Sequence, residues 1–367
     1  MKIVFISAAN NIHTVRWVNS LSEKGIEIVL VSLKNHKESI NKINKKVKII
    51  YLPVKGTIGY YLNAFFINKI IKEEKPDLIN VHYASGYGTL GRFIKFENKL
   101  LNVWGSDVYD FPNESNLKKK ILIKNLSSYK AIASTSFCMA EETKKYLKEN
   151  KKIYITPFGV DTNLFRNLNY ERDKNKIVIG NVKTLSPKYG IDYLIKAIKE
   201  LENILEKDIF NKIEVHIYGK GEQEEELKQL AITLGLKEKI KFMGFIKNTE
   251  VPKVINKMDI FVVPSVLNSE SFGVAAVEAM ACEVPVIVSD ADGLKEVTVN
   301  NETGFIVPKK NEKAIANKLK ELILDENLRK TFGKNGRKRV LKLYDWNNNV
   351  DNMIEIYKII FSIGKGD

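Results

Sequence analysis

Thirteen short runs of aliphatic and β-branched residues recur along this chain, and they fall into two series. KIVFIS, EIVLVS, VKIIYL, LINVHY, KLLNVW, AIASTS and KIYITP occupy the first half, with VRWVNSLSEKG and YYLNAFFINKIIKEEKP as helical stretches among them. KIVIGNV, IEVHIYG, IKFMGF, DIFVVPS, VPVIVSD and GFIVP occupy the second, again separated by helix-like segments. Strands alternating with helices dictate parallel sheets covered on both faces. The polar stretch NLNYERDKNK between the series reads as a linker. The expected fold class is therefore α/β, with two Rossmann-like doubly wound domains facing across a cleft. The last amphipathic stretch, WNNNVDNMIEIYKIIFSI, is expected to cross back onto the first domain. The expected bounds are 1–166 plus about 350–367 for the first domain and 167–349 for the second.

The 367 residues suffice for two ordinary cores. No apolar run approaches the roughly 18 residues of a membrane span. The start, IVFISAA after Lys2, is too short for a secretory leader and reads as a first strand. Two distant cysteines, Cys138 and Cys282, lack metal-type spacing and fit reduced buried thiols. A cytoplasmic location is expected, including the inner face of a membrane. Residues 1–166 carry 27 Lys and Arg against 14 Asp and Glu, whereas 167–367 carry 32 against 30. A basic first half suits an anionic partner, or reflects lysine as the default surface residue. No aromatic-basic motif supports nucleic-acid binding.

A dinucleotide-dependent dehydrogenase needs G-x-G-x-x-G after the first strand of its fold. The first turn here is SAANNIHTVRW, without glycine, and the second series opens on GNVKTLSPKYG, whose glycines stand ten apart. Hydride transfer is thereby demoted.

Other sites remain. In GNVKTLSPKYGID, Lys183 and Lys188 lie in a loop between a strand and a helix, where two ammonium groups can address one diphosphate or simply face water. Gly219 and Gly221 end a strand before an acidic helix, either to admit a ligand or to make a tight turn. Phe245 and Ile246 end the next strand, in position to flank a nucleobase. In NSESFGVAAVEAMA, Glu270 and Glu278 lie eight positions apart, about 80° around a helix, so they do not project side by side. Glu270 is expected before the Ala-rich helix, Gly273 near its first turn and Glu278 about two turns inside. Free amides around Phe272 and Gly273 then suit phosphate or sugar oxygens. The DAD triplet at 290–292 invites a metal-site reading, but a strand end is a different context for it, and no metal is expected.

Taken in order, GNVKTLSPKYGIDYLIKAI, YGKGEQEEEL, FMGF, DIFVVPS, ESFGVAAVEAMACEVPVIVSDADGLKEV, NETGFIVP and YDW resemble the second domain of family-4 retaining glycosyltransferases with the two-Rossmann (GT-B) fold. HTVRWVNSLSEKG, HYASGYG, WGSDVY and PFGVDTNLF extend the resemblance over nearly the whole chain. It implies a retaining, metal-independent transfer of a hexose-type sugar, without cofactor, from a nucleotide diphosphate sugar, UDP favoured over GDP. Lys183, where relatives usually carry Arg, and Lys188 would grip the diphosphate; the exchange gives up a bidentate fork. Glu270 would bind hydroxyls of the transferred sugar and Glu278 those of the ribose. Phe272 and Gly273 would supply backbone contacts, with Ser271 and Val274 beside them. The usual G-G-L-x-E appears as Asp292–Gly293–Leu294–Lys295–Glu296.

In the first domain, Asn10 and Asn11 occupy a loop that is often glycine-rich in the family, so their side chains would replace backbone contacts. His82, Trp104, Gly105 and Asp107 are expected at strand ends facing the cleft, Trp104 standing where many relatives have His. Asp107 reads either as an active-site carboxylate or as a helix cap. The transfer is expected to proceed on one face of the sugar, with Lys183, Lys188 and the helix dipole stabilising the leaving diphosphate. YYLNAFFINKIIK and NLKKKILIKNLSSYK place lysines beside apolar residues. They suit contact with an anionic membrane presenting a lipid-linked acceptor, or are sheet-covering helices with wet lysines. A glycan or lipid-linked acceptor and a role in surface polysaccharide or glycolipid synthesis follow. The rivals are a nucleotide-sugar epimerase or hydrolase and a non-catalytic binding protein of the same fold.

Overall fold

Each of the thirteen expected runs forms a strand in the computed structural model, which describes residues 1–38, 43–171, 173 and 175–363. In the first unit these are β1 (Lys2–Ile6), β2 (Glu27–Leu33), β3 (Lys48–Leu52), β4 (Leu78–His82), β5 (Lys99–Val103), β6 (Ala131–Ser134) and β7 (Ile153–Ile155). In the second they are β8 (Ile177–Val182), β9 (Ile213–Tyr218), β10 (Ile240–Gly244), β11 (Ile260–Val263), β12 (Val286–Ser289) and β13 (Gly304–Val307). The sheet orders are β3-β2-β1-β4-β5-β6-β7 and β10-β9-β8-β11-β12-β13. Neighbouring strands pair parallel, for example Val4 opposite Val29 and Ile79, and Val262 opposite Ile287. In both sheets the strand order reverses beside the first strand, between β1 and β4 and between β8 and β11. In open α/β sheets ligands bind outside the carboxyl ends of strands at such a point.

The chain divides into Met1–Phe158 with Asn347–Asp367, and Gly159–Trp346. Both crossings come earlier than the expected 166 and 349. Val160 forms a parallel bridge with Asp345, and the Val160 amide donates to the Tyr344 carbonyl, so the segment after Phe158 already belongs to the second unit. Arg172 and Lys174 of the expected linker, and 364–367 of the expected first domain, lie outside the described residues.

Each sheet has its own core. Val4, Ile6, Val29, Val31, Ile79, Val81 and Leu101 are buried in the first, and Ile179, Val215, Ile217, Val262 and Ile287 in the second. The helix Trp346–Ile363 returns to the first unit, burying Val350, Met353, Ile356, Tyr357 and Ile360 at helical spacing. Its Tyr357 hydroxyl meets the Asn80 side chain on β4 at 2.5 Å, and Asp351 pairs with Lys24 at 2.7 Å.

The expected helix YYLNAFFINKIIKEEKP is two helices, Gly56–Leu62 and Ala64–Glu74. Asn63 breaks it: the buried side-chain amide donates to the carbonyls of Val54 and Gly59 and accepts from the Val54 amide. Cys282 is buried, as expected, and burial pushes its thiol up to about 12. Cys138 is half-buried instead, near the start of the helix Phe137–Lys144. No helix of the described residues is long and apolar enough to cross a membrane.

Lys99 opens β5 and is almost completely buried. Its ammonium donates to the carbonyls of Gly91 and Ile94 at 3.2 and 3.0 Å, closing the C-terminal end of the helix Gly86–Arg92, and lies 5.2 Å from the Tyr129 ring centre. This suits a cation at a helix C-terminus. Burial, and then the charge of Lys151, pull its pKa down to about 8. Between about 8 and the unfolded value of 10.5 the folded state therefore holds fewer protons than the unfolded state. The contribution of Lys99 to stability rises with pH across that window. Thermal melts of wild type against Lys99→Met are expected to show a difference that moves in favour of wild type from pH 8 to 10. A difference independent of pH would contradict the perturbed lysine.

Candidate donor site of the second domain

The loop after β8 carries Lys183 and Lys188, and the loop after β11 carries Ser269 and Glu270; the fold brings them together. Lys183 Nζ lies 3.1 Å from both carboxylate oxygens of Glu270. Lys188 Nζ donates to the Ser269 carbonyl at 2.9 Å. The Tyr189 ring sits beside both cations, its centre 4.6 Å from Lys183 Nζ and 5.7 Å from Lys188 Nζ. Burial draws the Lys183 ammonium down, but the charge of Glu270, then Tyr189, the hydrogen bond to Glu270 and the charge of Glu278 outweigh it, and its pKa is raised. Lys183 is held as a cation, and Glu278 is close enough to contribute.

Two glycines make this convergence possible. A Cβ on Gly219 would sit 1.9 Å from the Lys183 carbonyl oxygen, and one on Gly221 would sit 2.1 Å from that of Leu185. These glycines, read either as admitting a ligand or as making a tight turn, lie against the backbone of the Lys183–Leu185 loop. Gly293 does the same for the acidic loop: its Cβ would meet the Ser271 carbonyl carbon at 2.2 Å and the Phe272 nitrogen at 2.3 Å. Its amide donates to the Glu270 carbonyl at 3.2 Å. Of the two glycines usual in the family motif, the one against the Glu270 loop is retained, while Asp292 pairs with Lys295 at 3.3 Å. The neighbouring Asp290 accepts the Lys309 amide at 2.9 Å, so the two acids of the DAD triplet serve separate partners.

The helix after this loop runs Val274–Ala281, capped by Gly273 with φ of 79°. Its first turn leaves backbone amides without intrahelical acceptors, next to Ser271 and Phe272. Glu278 is the fifth residue of the helix, hardly more than one turn inside, rather than the two expected. The Phe272 ring packs edge-on to Tyr344 at 5.5 Å. Phe245 stands just beyond edge strand β10 and is 70% exposed, with Ile246 half-buried after it; both are outside the lysine–glutamate cluster.

The first domain gathers a second cluster at the carboxyl ends of β4 and β5. Trp104 Nε1 can only donate, and it does so to His82 Nδ1 at 3.1 Å, while His82 Nε2 lies 3.0 Å from the Asn80 side-chain nitrogen. Burial, with His13 adding to it, lowers the His82 pKa well below its ordinary value. His82 stacks on Phe5 at 4.3 Å and is buried beside Trp104. Asp107 belongs to the same cluster. Its carboxylate is completely buried and accepts the amides of Ala84 at 2.7 Å, Trp104 at 3.0 Å and Gly105 at 2.8 Å. Burial raises its pKa, opposed by these amides. It clamps the turn that carries Trp104. Asn11 caps the helix Ile12–Glu23, accepting the His13 amide at 2.8 Å, and Asn10 is exposed beside it.

Three ring residues beside these groups were not singled out by sequence reasoning. Tyr189 orders both lysines; its signal is an aromatic between Lys188 and Gly190. His13 stacks on Phe158 at 4.0 Å, and both meet Trp104 edge-on at 5.8 and 5.7 Å. Their signal was their place inside HTVRW and PFGVD, without any spacing that pairs them.

Residues 167–339 match the family described as "Glycosyl transferases group 1", and residues 2–136 match "Glycosyl transferase 4-like". The chain is 31% identical over 343 residues to an uncharacterised glycosyltransferase of Methanocaldococcus jannaschii, covering 91% of this chain and 90% of that protein. It is 34% identical over 349 residues to the capsular polysaccharide biosynthesis glycosyltransferase CapM of Staphylococcus aureus, covering 88% and 87%. The structure of sucrose-phosphate synthase from Thermosynechococcus elongatus superposes with a TM-score of 0.84 at 19% identity over 99% of both chains, a likeness of fold.

Proposed function

Because this chain belongs to the group 1 glycosyltransferases of the two-Rossmann (GT-B) fold, we propose that it moves a hexose-type sugar from a nucleotide diphosphate sugar to a glycan or lipid-linked acceptor with retention of configuration. A UDP-sugar is the favoured donor, and the product belongs to surface polysaccharide or glycolipid. The observation that carries this reading is the convergence of Lys183 and Lys188 on the Ser269–Glu270 loop at the start of the Gly273-capped helix. Two cations beside free helix amides suit a diphosphate. A glutamate already ion-paired to Lys183 is suited to accept hydrogen bonds from sugar hydroxyls and poorly suited to serve as a base. Glu278, inside the helix, takes the ribose hydroxyls.

In this reading the bond from the anomeric carbon to the diphosphate oxygen breaks with its electron pair going to the diphosphate, which the lysines stabilise. The acceptor oxygen bonds to the anomeric carbon on the same face, and its proton passes to the departing phosphate oxygen. No protein nucleophile and no metal is required. The name of CapM places that relative in capsular polysaccharide synthesis, which supports a glycan product.

A panel of nucleotide-sugars assayed by thermal stabilisation and donor hydrolysis tests the proposal, with Glu270→Ala as control. One UDP-sugar is expected to raise Tm and to turn over, EDTA leaving the rate unchanged. Activity abolished by EDTA and restored by Mn²⁺ would overturn the metal-free step. No response to any donor would overturn the transfer reading.

A further inference from the structure

Sequence alone offered two lysine-bordered apolar segments, and the structure separates them. The helix Asn116–Ser127 turns Leu122 and Leu126 into the core, leaving Leu117 standing out among lysines. The helix pair Gly56–Leu62 and Ala64–Glu74 is different. Ile67 and Ile71 face the core, while the outer side exposes Phe65 by 75%, Ile58 by 60% and Leu62 by 56%, with Phe66 and Tyr61 next to them. Ring contacts link its members in pairs. Phe65 and Phe66 meet edge-on at 5.8 Å, and Tyr61 contacts the exposed Phe93 ring at 6.0 Å. Asn68 ties the neighbouring turn down, donating to the Phe93 carbonyl and accepting the Lys95 amide, both at 3.0 Å. Phe65, Lys72 and Lys95 line one groove of about 350 Å³.

The rim of this patch is cationic. Lys55, Lys69, Lys72 and Lys95 are exposed around it, and the Arg92 guanidinium lies 4.8 Å over the Phe93 ring. Lys69 is 3.8 Å from Glu73, whereas among the described residues neither Lys72 nor Lys95 has an ion-pair partner. A contiguous group of exposed aromatic and aliphatic side chains on a monomer marks a contact surface. A ring of lysines around it complements a negatively charged, laterally uniform partner. Aromatic and leucine side chains on one face with lysines at its edge are the composition of an element lying in the headgroup layer of a bilayer.

We propose that this helix pair, with the Arg92–Lys95 turn, docks the first domain onto an anionic lipid bilayer, where a lipid-linked acceptor is presented. It rests on the transfer reading only for the acceptor; the surface stands on its own geometry. Vesicle flotation of the full chain tests it, with phosphatidylcholine alone and with added phosphatidylglycerol. Wild type floats with the anionic vesicles and is released by salt. Lys72→Gln and Lys95→Gln each weaken binding about fivefold, as expected for a lysine worth about 1 kcal/mol near a charged surface. Leu62→Ser with Phe65→Ser abolishes it, and Leu117→Ser leaves it unchanged. All of these variants keep donor hydrolysis in solution.

Absence of flotation, equal flotation with neutral lipid, or loss in Leu117→Ser but not in the patch variants each overturns the proposal. So does a dimer in light scattering that dissociates in Phe65→Ser, which would make the patch a contact between copies. Glu270→Ala separates the two readings: flotation with undiminished donor turnover would sink the assigned transfer site and leave the docking surface standing.

Discussion

Replacing Glu270 by alanine is expected to lower the stability of the second domain by about 3–5 kcal/mol, as well as abolishing most transfer, because it strands a buried cation. The side chains of Lys183 and Glu270 are only 15% and 7% exposed, so water screens neither partner well. Lys183→Met strands the carboxylate in the same way. In a domain of this size the loss corresponds to a fall in Tm of about 10 °C. Each single variant is also expected to reduce kcat/KM by about 10²-fold or more, the usual scale for removing one preorganised charged group from a transfer site. The double variant Lys183→Met/Glu270→Leu distinguishes the two effects. A buried ion pair replaced as a unit by apolar groups is often neutral in stability, so Tm should return towards wild type while activity stays lost. Melts and donor-turnover assays on the three variants measure this. A double variant that recovers activity would reduce the pair to a structural tie. Singles that melt like wild type would show the pair to be solvated.

The strands were legible because a sheet covered on both faces demands continuous apolar runs, and those runs are interrupted wherever the chain turns. KIVFIS satisfies that demand with four buried residues, whereas KIYITP, at the edge of the sheet, forms a half-buried strand. The return of the last helix was legible too, in the spacing of Val350, Met353, Tyr357 and Ile360. What local pattern does not contain is pairing at a distance. The apolar period runs unbroken through Asn63, and only its bonds to Val54 and Gly59 show that the helix stops there. The crossing at Phe158 was missed because Val160 is drawn into the second unit by Asp345, far along the chain. Among the site residues, Lys183, Lys188 and Glu270 could be named from order and type. That Gly219 and Gly293 each sit against the backbone of a neighbouring loop is a matter of distances between segments. The same limit applies to Asp107, whose partners include Ala84 on a different strand end.

Asp107→Ala is accordingly expected to act as a loss of architecture in the first domain. The carboxylate accepts the backbone amides of Ala84, Trp104 and Gly105, and in its completely buried position no water replaces it. An unsatisfied buried donor costs about 1–3 kcal/mol, so three of them, partly relieved by local relaxation, amount to about 4 kcal/mol and a Tm lower by about 10 °C. Asp107→Asn is expected to be milder, since one oxygen still accepts while the new NH2 faces a backbone donor. Both changes free the turn that carries Trp104, whose indole is otherwise fixed by His82 and by its contacts with His13 and Phe158. Trp104 emission, obtained by subtracting the spectrum of the matching Trp104→Phe protein, should therefore shift towards that of a solvated indole. Transfer by Asp107→Asn, measured below its melting range, is expected to fall while the shape of its pH profile is kept. A clamp changes how well Trp104 is positioned, whereas a catalytic acid or base would take one limb of the profile with it. Loss of a limb at unchanged Tm would restore Asp107 to the chemistry.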